Sequence, residues 1–302
     1  MSLLLVLILA CQAGSAAATG KATAPVQAVQ VPAPSPADAE GARIRRFAGE
    51  LFAQGEYFRA MTEYLRAASW DPAAPDADDL RFMAARCAFR AGRFDEAATR
   101  FSGLAAGPSS TAYRDGCFLF TAASRYRARA WRDARAVITT ARQEIPDSPL
   151  ADRRAYLEGL SFFHEGSWNA AGTAFGGVPA GSPLRASAAE LSETASRAAR
   201  TSWRSPPVTA AMSAVMPGLG QMVCGYPWDG LSALILTGAG IAVGVAGINS
   251  DNDALAIAGF SFGGLFHVAN VAGGANAGRR RNARVRDGYM READLLNRLE
   301  LE

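Results

Sequence analysis

The chain has 302 residues, enough for two compact parts and a tail, and its 49% apolar content is weighted towards the two ends. A net charge of +3 gives no global electrostatic support for a nucleic-acid partner, and none is expected. The four cysteines lack metal-ligand spacing, and there is no phosphate-cradling glycine loop or standout pair of carboxylates. No cofactor is therefore expected, and the chain does not read as an enzyme.

Residues 1–18 open with Met1 and Ser2 and an apolar run from Leu3 to Ala10. That run is too short to cross a bilayer as a helix and fits the core of a secretory signal, with small residues at positions 15–18 for cleavage. No Lys or Arg precedes it, which hints at a misplaced start. Ile8-Leu9-Ala10-Cys11 also resembles a bacterial lipobox, which implies lipidation of Cys11. Residues 19–39 are rich in Ala, Pro, Gln and Val, carry Lys21 as the main charge and have no helical or strand period. They read as a disordered tether.

A 37-residue repeat then dominates residues 40–203. Its copies are Gly55, Tyr57, Ala60, Tyr64, Ala67, Pro72; Gly92, Phe94, Ala97, Phe101, Leu104, Pro108; Arg129, Trp131, Ala134, Ile138, Ala141, Pro146; and Gly166, Trp168, Ala171, Phe175, Val178, Pro183. A glycine can take the left-handed backbone that ends a helix. The alanine lets a paired helix approach, the second large apolar side chain lies on the same face four residues on, and the proline stops the helix. Three residues upstream of each turn stands an aromatic: Phe52, Phe89, Tyr126 and Phe163. A fixed period in this range predicts a solenoid of stacked helical hairpins, a common binding scaffold.

These offsets resemble the tetratricopeptide repeat family. The period is longer than the family's, and Arg129 replaces a glycine in the third copy. The resemblance implies four helix pairs with first helices ending near positions 55, 92, 129 and 166, and a capping helix over residues 184–203. It also implies that the first helices line a concave face. The positions looking into it would be Arg45, Phe52, Phe82, Arg86, Phe89, Arg90, Tyr126, Arg127, Tyr156 and Phe163. Aromatics supply contact area and arginines bind carboxylates bidentately, so the expected ligand is an acidic protein or peptide segment. The alternative is that the four repeated aromatics only pack between neighbouring units.

Residues 231–248 and 254–275 are free of charge and flank the polar turn Asn249, Ser250, Asp251, Asn252, Asp253. They predict a transmembrane helical hairpin, with small-xxx-small spacing at Gly240 and Gly244 in one helix and at Gly259 and Gly263 in the other, which would let the two pack closely. Pro217-Gly218-Leu219-Gly220-Gln221, Gly225 and Asp229-Gly230 precede it. With Asn270 to Asn276 they resemble the TM2-like membrane domains, over residues 208–278. Such pairings with tetratricopeptide repeats imply a bacterial envelope protein. Residues 279–302 form a basic tail with Arg279, Arg280, Arg281, Arg284 and Arg286. The positive-inside tendency would hold these arginines in the cytoplasm, in conflict with an exported solenoid. A third crossing over residues 208–225 would resolve the conflict, as would arginines resting on anionic headgroups; the two-helix hairpin is the preferred reading.

Cys87 and Cys117 read as buried thiols, with a disulfide as the alternative. His164 reads as a surface or groove residue and His267 as a neutral histidine bonding across the hairpin, a functional role for it being the alternative. Together these features predict an all-α, membrane-tethered adaptor that binds protein or peptide partners in envelope assembly, in the inner membrane with its repeats in the periplasm. The alternative makes the hairpin the active part, aiding membrane-protein insertion or transport while the repeats recruit clients.

Overall fold

A computed structural model describes residues 36–107 and 111–300. The expected signal, Cys11 and most of the expected linker lie outside the described residues. The chain divides into two compact units, Met1–Glu40 and Gly41–Glu302. The first is described only where it opens α1, and the second holds every later element. Every regular element among the described residues is a helix.

Four helix pairs follow in order: α1 (Pro36–Ala53) with α2 (Tyr57–Trp70), α3 (Ala77–Arg90) with α4 (Phe94–Ala105), α5 (Thr111–Arg127) with α6 (Trp131–Glu144), and α7 (Ala151–Glu165) with α8 (Trp168–Gly176). A ninth helix, α9 (Arg185–Arg200), closes the stack against α8. The repeat alanines Ala60, Ala97, Ala134 and Ala171 are all fully buried, as the close approach of paired helices requires. Tyr64, Phe101, Ile138 and Phe175 fill the core one turn further along.

The turns between paired helices are geometrically the same. Gly55, Gly92, Arg129 and Gly166 all have positive φ, at 79°, 75°, 62° and 92°. In each, the following amide reaches back to a carbonyl five residues earlier: Glu56 to Leu51, Arg93 to Ala88, Ala130 to Arg125 and Ser167 to Phe162, at 2.9 Å in every case. This is the Schellman closure of a helix C-terminus. Arg129 adopts it without the freedom of glycine, so the departure from the repeat pattern leaves the fold intact and strains one residue.

A second device ties units three and four. Arg154 and Asp115 form an ion pair whose side chains are only 4% and 1% exposed. Arg154 also donates to the carbonyls of Ala141 and Ile145, and Asp115 accepts from Ser148. Cys87 and Cys117 are free, buried thiols, not a disulfide. Burial pushes both thiols up to about 12, opposed at Cys87 by the Arg86 charge and reinforced at Cys117 by Asp78, so neither carries thiolate reactivity near neutral pH.

Two further short helices, α10 (Pro206–Val215) and α11 (Leu219–Val223), lead to α12 (Pro227–Asn249) and α13 (Asp253–Leu296). Both α12 and α13 are long and apolar enough to cross a membrane, with mean hydropathies of 2.1 and 1.5 over their most apolar stretches. Their backbones touch through glycine: a Cβ on Gly240 would lie 2.5 Å from Gly263 Cα, and one on Gly259 would lie 2.2 Å from Gly244 N. Outward-facing Ile235, Ile257, Leu265 and Val268 are more than half exposed, which fits helices that could cross a membrane. The third crossing over residues 208–225, weighed as an alternative to the two-helix hairpin, does not form as one membrane-length helix. Its ten-residue α10 is about 15 Å long, half the thickness of a hydrocarbon core, and the chain turns back at Pro217-Gly218.

The Pro-Gly-Leu-Gly-Gln segment has a physical role. Gly218 takes φ 88° and lies against Gly230, where a Cβ would stand 2.0 Å from its carbonyl oxygen. Gln221 accepts from Ser213 and donates to both oxygens of Asn270. Asn270 in turn donates to Ser213 O and accepts from Gly218 N–H. The groups of the resulting polar knot satisfy one another, which is what irregular backbone needs beside helices that could cross a membrane.

Candidate functional site: the face of the first helices

The sequence directs attention to one face of the solenoid, lined by α1, α3, α5, α7 and α9. The structure divides the ten candidate residues there into an open half and a covered half.

In the open half, Arg45 is engaged by Asp76, with Nε 2.9 Å from Oδ2. Phe52 is half-buried under the Arg86 guanidinium, 5.6 Å from its ring centroid. Arg86 also reaches Met83 Sδ, while Arg90 is exposed and makes no polar contact with a described residue. Phe89 is half-buried and Arg127 is exposed above the Phe94 ring. Phe82 is half-buried and packs on the core, edge-on against Phe101 and Phe120 at 5.1 Å and 5.5 Å between centroids.

The four repeated aromatics share one geometry. Each meets the aromatic that opens the next helix: Phe52 with Tyr57, Phe89 with Phe94, Tyr126 with Trp131 and Phe163 with Trp168, at 4.9–5.6 Å. They clasp the turn inside each unit. This favours the packing alternative for the aromatics, while the arginines around Phe52 and Phe89 remain on the surface.

In the covered half, Tyr156 and Phe163 are fully buried. Their cover is the far end of the chain. The expected basic tail is mostly helix: α13 runs on to Leu296, some twenty residues past the apolar stretch, and packs on α9. Ala293 is buried with Tyr156, Phe163 and Leu191, and Tyr289, Met290, Leu296 and Leu299 pack on that cluster. Tyr156 Oη accepts the Arg298 amide at 3.1 Å, and Ser187 donates to the Leu296 carbonyl. Thr194 and Arg197 both bind Glu292, and Thr201 Oγ1 lies 2.7 Å from Tyr289 Oη. Sequence reasoning missed this segment. Its signal was present: Tyr289, Met290, Ala293 and Leu296 stand at i, i+1, i+4 and i+7, one apolar helical face.

The chain matches no family model, no curated protein and no solved structure.

Between the halves lies an open cleft of about 560 Å³, walled by Tyr126, Arg129, His164, Arg286 and Asp294 among others. The His164 ring stacks on Trp131 at 5.3 Å, and its carbonyl accepts from Arg286 at 2.7 Å. Burial pulls the His164 imidazole below its usual range; Asp294 opposes this, and the charges of Arg286 and Arg129 reinforce it. Burial, helped by Asp294, raises the Tyr126 phenol. Both rings are neutral near pH 7.

The arginines past the apolar stretch are fixed by the protein. Arg280 pairs with Asp229 at 2.9 Å and lies over the Tyr226 ring at 4.3 Å. Arg281 donates to Ser202 O and Arg284 to Tyr226 Oη. These contacts put the solenoid and the arginines on the same side of any membrane that the hairpin crosses. Among the described residues, neither His267 Nδ1 nor Thr237 Oγ1 has a hydrogen-bond partner, so the expected bond from His267 across the hairpin is not made through Nδ1.

Proposed function

We propose that this protein is a membrane-tethered scaffold that holds a protein or peptide partner on the first-helix face of a tetratricopeptide-like solenoid, in bacterial envelope assembly. The observation that carries this reading is the open half of that face. Arg86, Arg90 and Arg127 stand over or beside Phe52, Phe89 and Phe94, and Arg90 and Arg127 are exposed with no carboxylate of a described residue bound to them. Guanidinium groups over aromatic rings suit an acidic segment with apolar side chains. The TM2-like reading of residues 208–278 supports the anchor, because the Gln221–Asn270 knot fixes the short helices to the hairpin.

The repeats are proposed to face the periplasm, as the signal-like Leu3 to Cys11 run suggests. The arginine collar is compatible with that side, since Arg280 is paired with Asp229 and its neighbours are bound to protein acceptors. A membrane-impermeant maleimide should label an Asn169→Cys protein in intact spheroplasts; labelling only after lysis would put the repeats in the cytoplasm. The function itself is tested by Arg86→Ala with Arg90→Ala. Partner capture from an envelope extract should weaken and lose part of its salt sensitivity, with helix content unchanged. Undiminished capture would exclude the open half as the site.

A further inference from the structure

The covered half of the same face is filled by a segment that behaves, in every contact, as a ligand would. Residues 293–300 leave the end of α13 and turn at Asn297, whose Oδ1 accepts the Leu299 amide at 3.0 Å. Leu296 and Leu299 are the inward anchors, while Leu295 between the acidic side chains of Asp294 and Glu300 is 75% exposed. Leu299 also packs on a second cluster shared by α5, α6 and α7, built from Leu119, Ala122, Ala123, Ile138 and Leu157. The backbone is read as well as the side chains: Tyr156 takes the Arg298 amide and Ser187 gives to the Leu296 carbonyl, with the two hydroxyls 2.6 Å apart. In peptide recognition, main-chain bonds supply affinity and apolar anchors at i and i+3 supply specificity, and this segment offers both.

The segment is also connected differently from the rest of the stack. It is not a repeat unit, it follows the membrane hairpin in sequence, and it crosses 109 residues to meet Ser187. Its attachment to α13 holds it next to the face at high effective concentration, so a weak intrinsic contact suffices to keep it seated.

We propose that the face of α5, α7 and α9 is a receptor site for a Leu-x-x-Leu segment, occupied in cis by residues 293–300. A partner carrying the same spacing competes with this segment, so the scaffold is self-capped at rest. The proposal rests on reading the solenoid as a peptide-binding scaffold, but it concerns a different half of the face from Arg86 and Arg90.

The test uses the full chain in detergent micelles and a fluorescein-labelled peptide of residues 289–302, read by fluorescence polarisation. Two variants vacate the site: Leu296→Asp with Leu299→Asp, and a chain ending at Glu292, which removes the whole seated segment while keeping α13 up to that point. The peptide should bind the vacated proteins at least tenfold more tightly than the wild type, and a peptide with both leucines replaced by aspartate should not bind. Should the double variant lose helix content, the shortened chain decides. Equal binding to vacated and wild-type protein, or none to a vacated protein of native helix content, would overturn the proposal. The Arg86 and Arg90 substitutions should leave this binding unchanged, so failure here and failure of the open-half reading are separate results.

Discussion

Replacing Arg129 by glycine should stabilise the protein, against the usual trend of point substitutions. Arg129 holds φ 62° where its three counterparts are glycines at 75–92°. Its turn already makes the same bonds as theirs, Arg129 N–H to Tyr126 O at 3.0 Å and Ala130 N–H to Arg125 O at 2.9 Å, so the change removes no backbone contact. The side chain makes no hydrogen bond or ion pair with a described residue. A left-handed L-residue costs about 1–2 kcal/mol, and glycine loses about 0.5–1 kcal/mol more conformational entropy on folding. The net gain is about 0.5–1 kcal/mol, which for a helical domain of this size raises Tm by about 1–4 °C. The mirror change is Gly92→Ala. A Cβ there would meet nothing within 4 Å, so its cost is purely the backbone term, and it should lower Tm by a similar amount. Circular dichroism melting of the full chain in micelles measures both. A fall in Tm for Arg129→Gly, or no change for Gly92→Ala, would show that the repeated turn geometry does not set the energetics as argued.

Asp115→Ala should be among the most damaging single changes in the solenoid, at about 3–5 kcal/mol, because it leaves Arg154 buried without its partner; a melting shift under a few degrees would contradict this. Stability should also fall on acidification through His164. Its folded pKa lies below the unfolded value, so the folded state binds fewer protons; the stabilisation is fully present above about pH 6.5 and is lost as pH falls below it. His164→Gln should flatten that part of a urea midpoint-against-pH profile, and an unchanged profile would remove His164 as its source. Gln221→Leu should break the knot beneath the hairpin, stranding polar groups of Ser213 and Asn270 at about 1–3 kcal/mol each. The expected readout is faster proteolysis between α10 and α12 in micelles, and wild-type resistance would refute the role given to the knot.

Most of the solenoid is legible in the sequence because its signals are local. Positive φ at Gly55, Gly92 and Gly166 favours glycine, and the burial of Ala60, Ala97, Ala134 and Ala171 needs a small side chain, so both leave a mark at fixed spacing. The hairpin is legible for the same reason, through uncharged length and spaced glycines. The polar knot is legible only as a motif, since the meeting of Gln221 with Asn270 spans 49 residues and has no periodic trace. The candidate site is half legible. The aromatic positions recur every 37 residues, yet recurrence does not distinguish a turn clasp from a ligand platform; that depended on Tyr57, Phe94, Trp131 and Trp168 lying opposite them. The fate of Tyr156 and Phe163 was hidden because their cover comes from more than 120 residues downstream, behind an arginine run that reads as a solvated tail.

The central claim is that the open half of the first-helix face holds a partner, and site-specific photocrosslinking in living cells tests it most directly. A photoreactive residue in place of Arg90 should give a discrete adduct. The same residue in place of Thr99, exposed on α4, should not, and Arg86→Ala should diminish the Arg90 adduct. No adduct at Arg90, or the same adducts from both positions, would contradict the account.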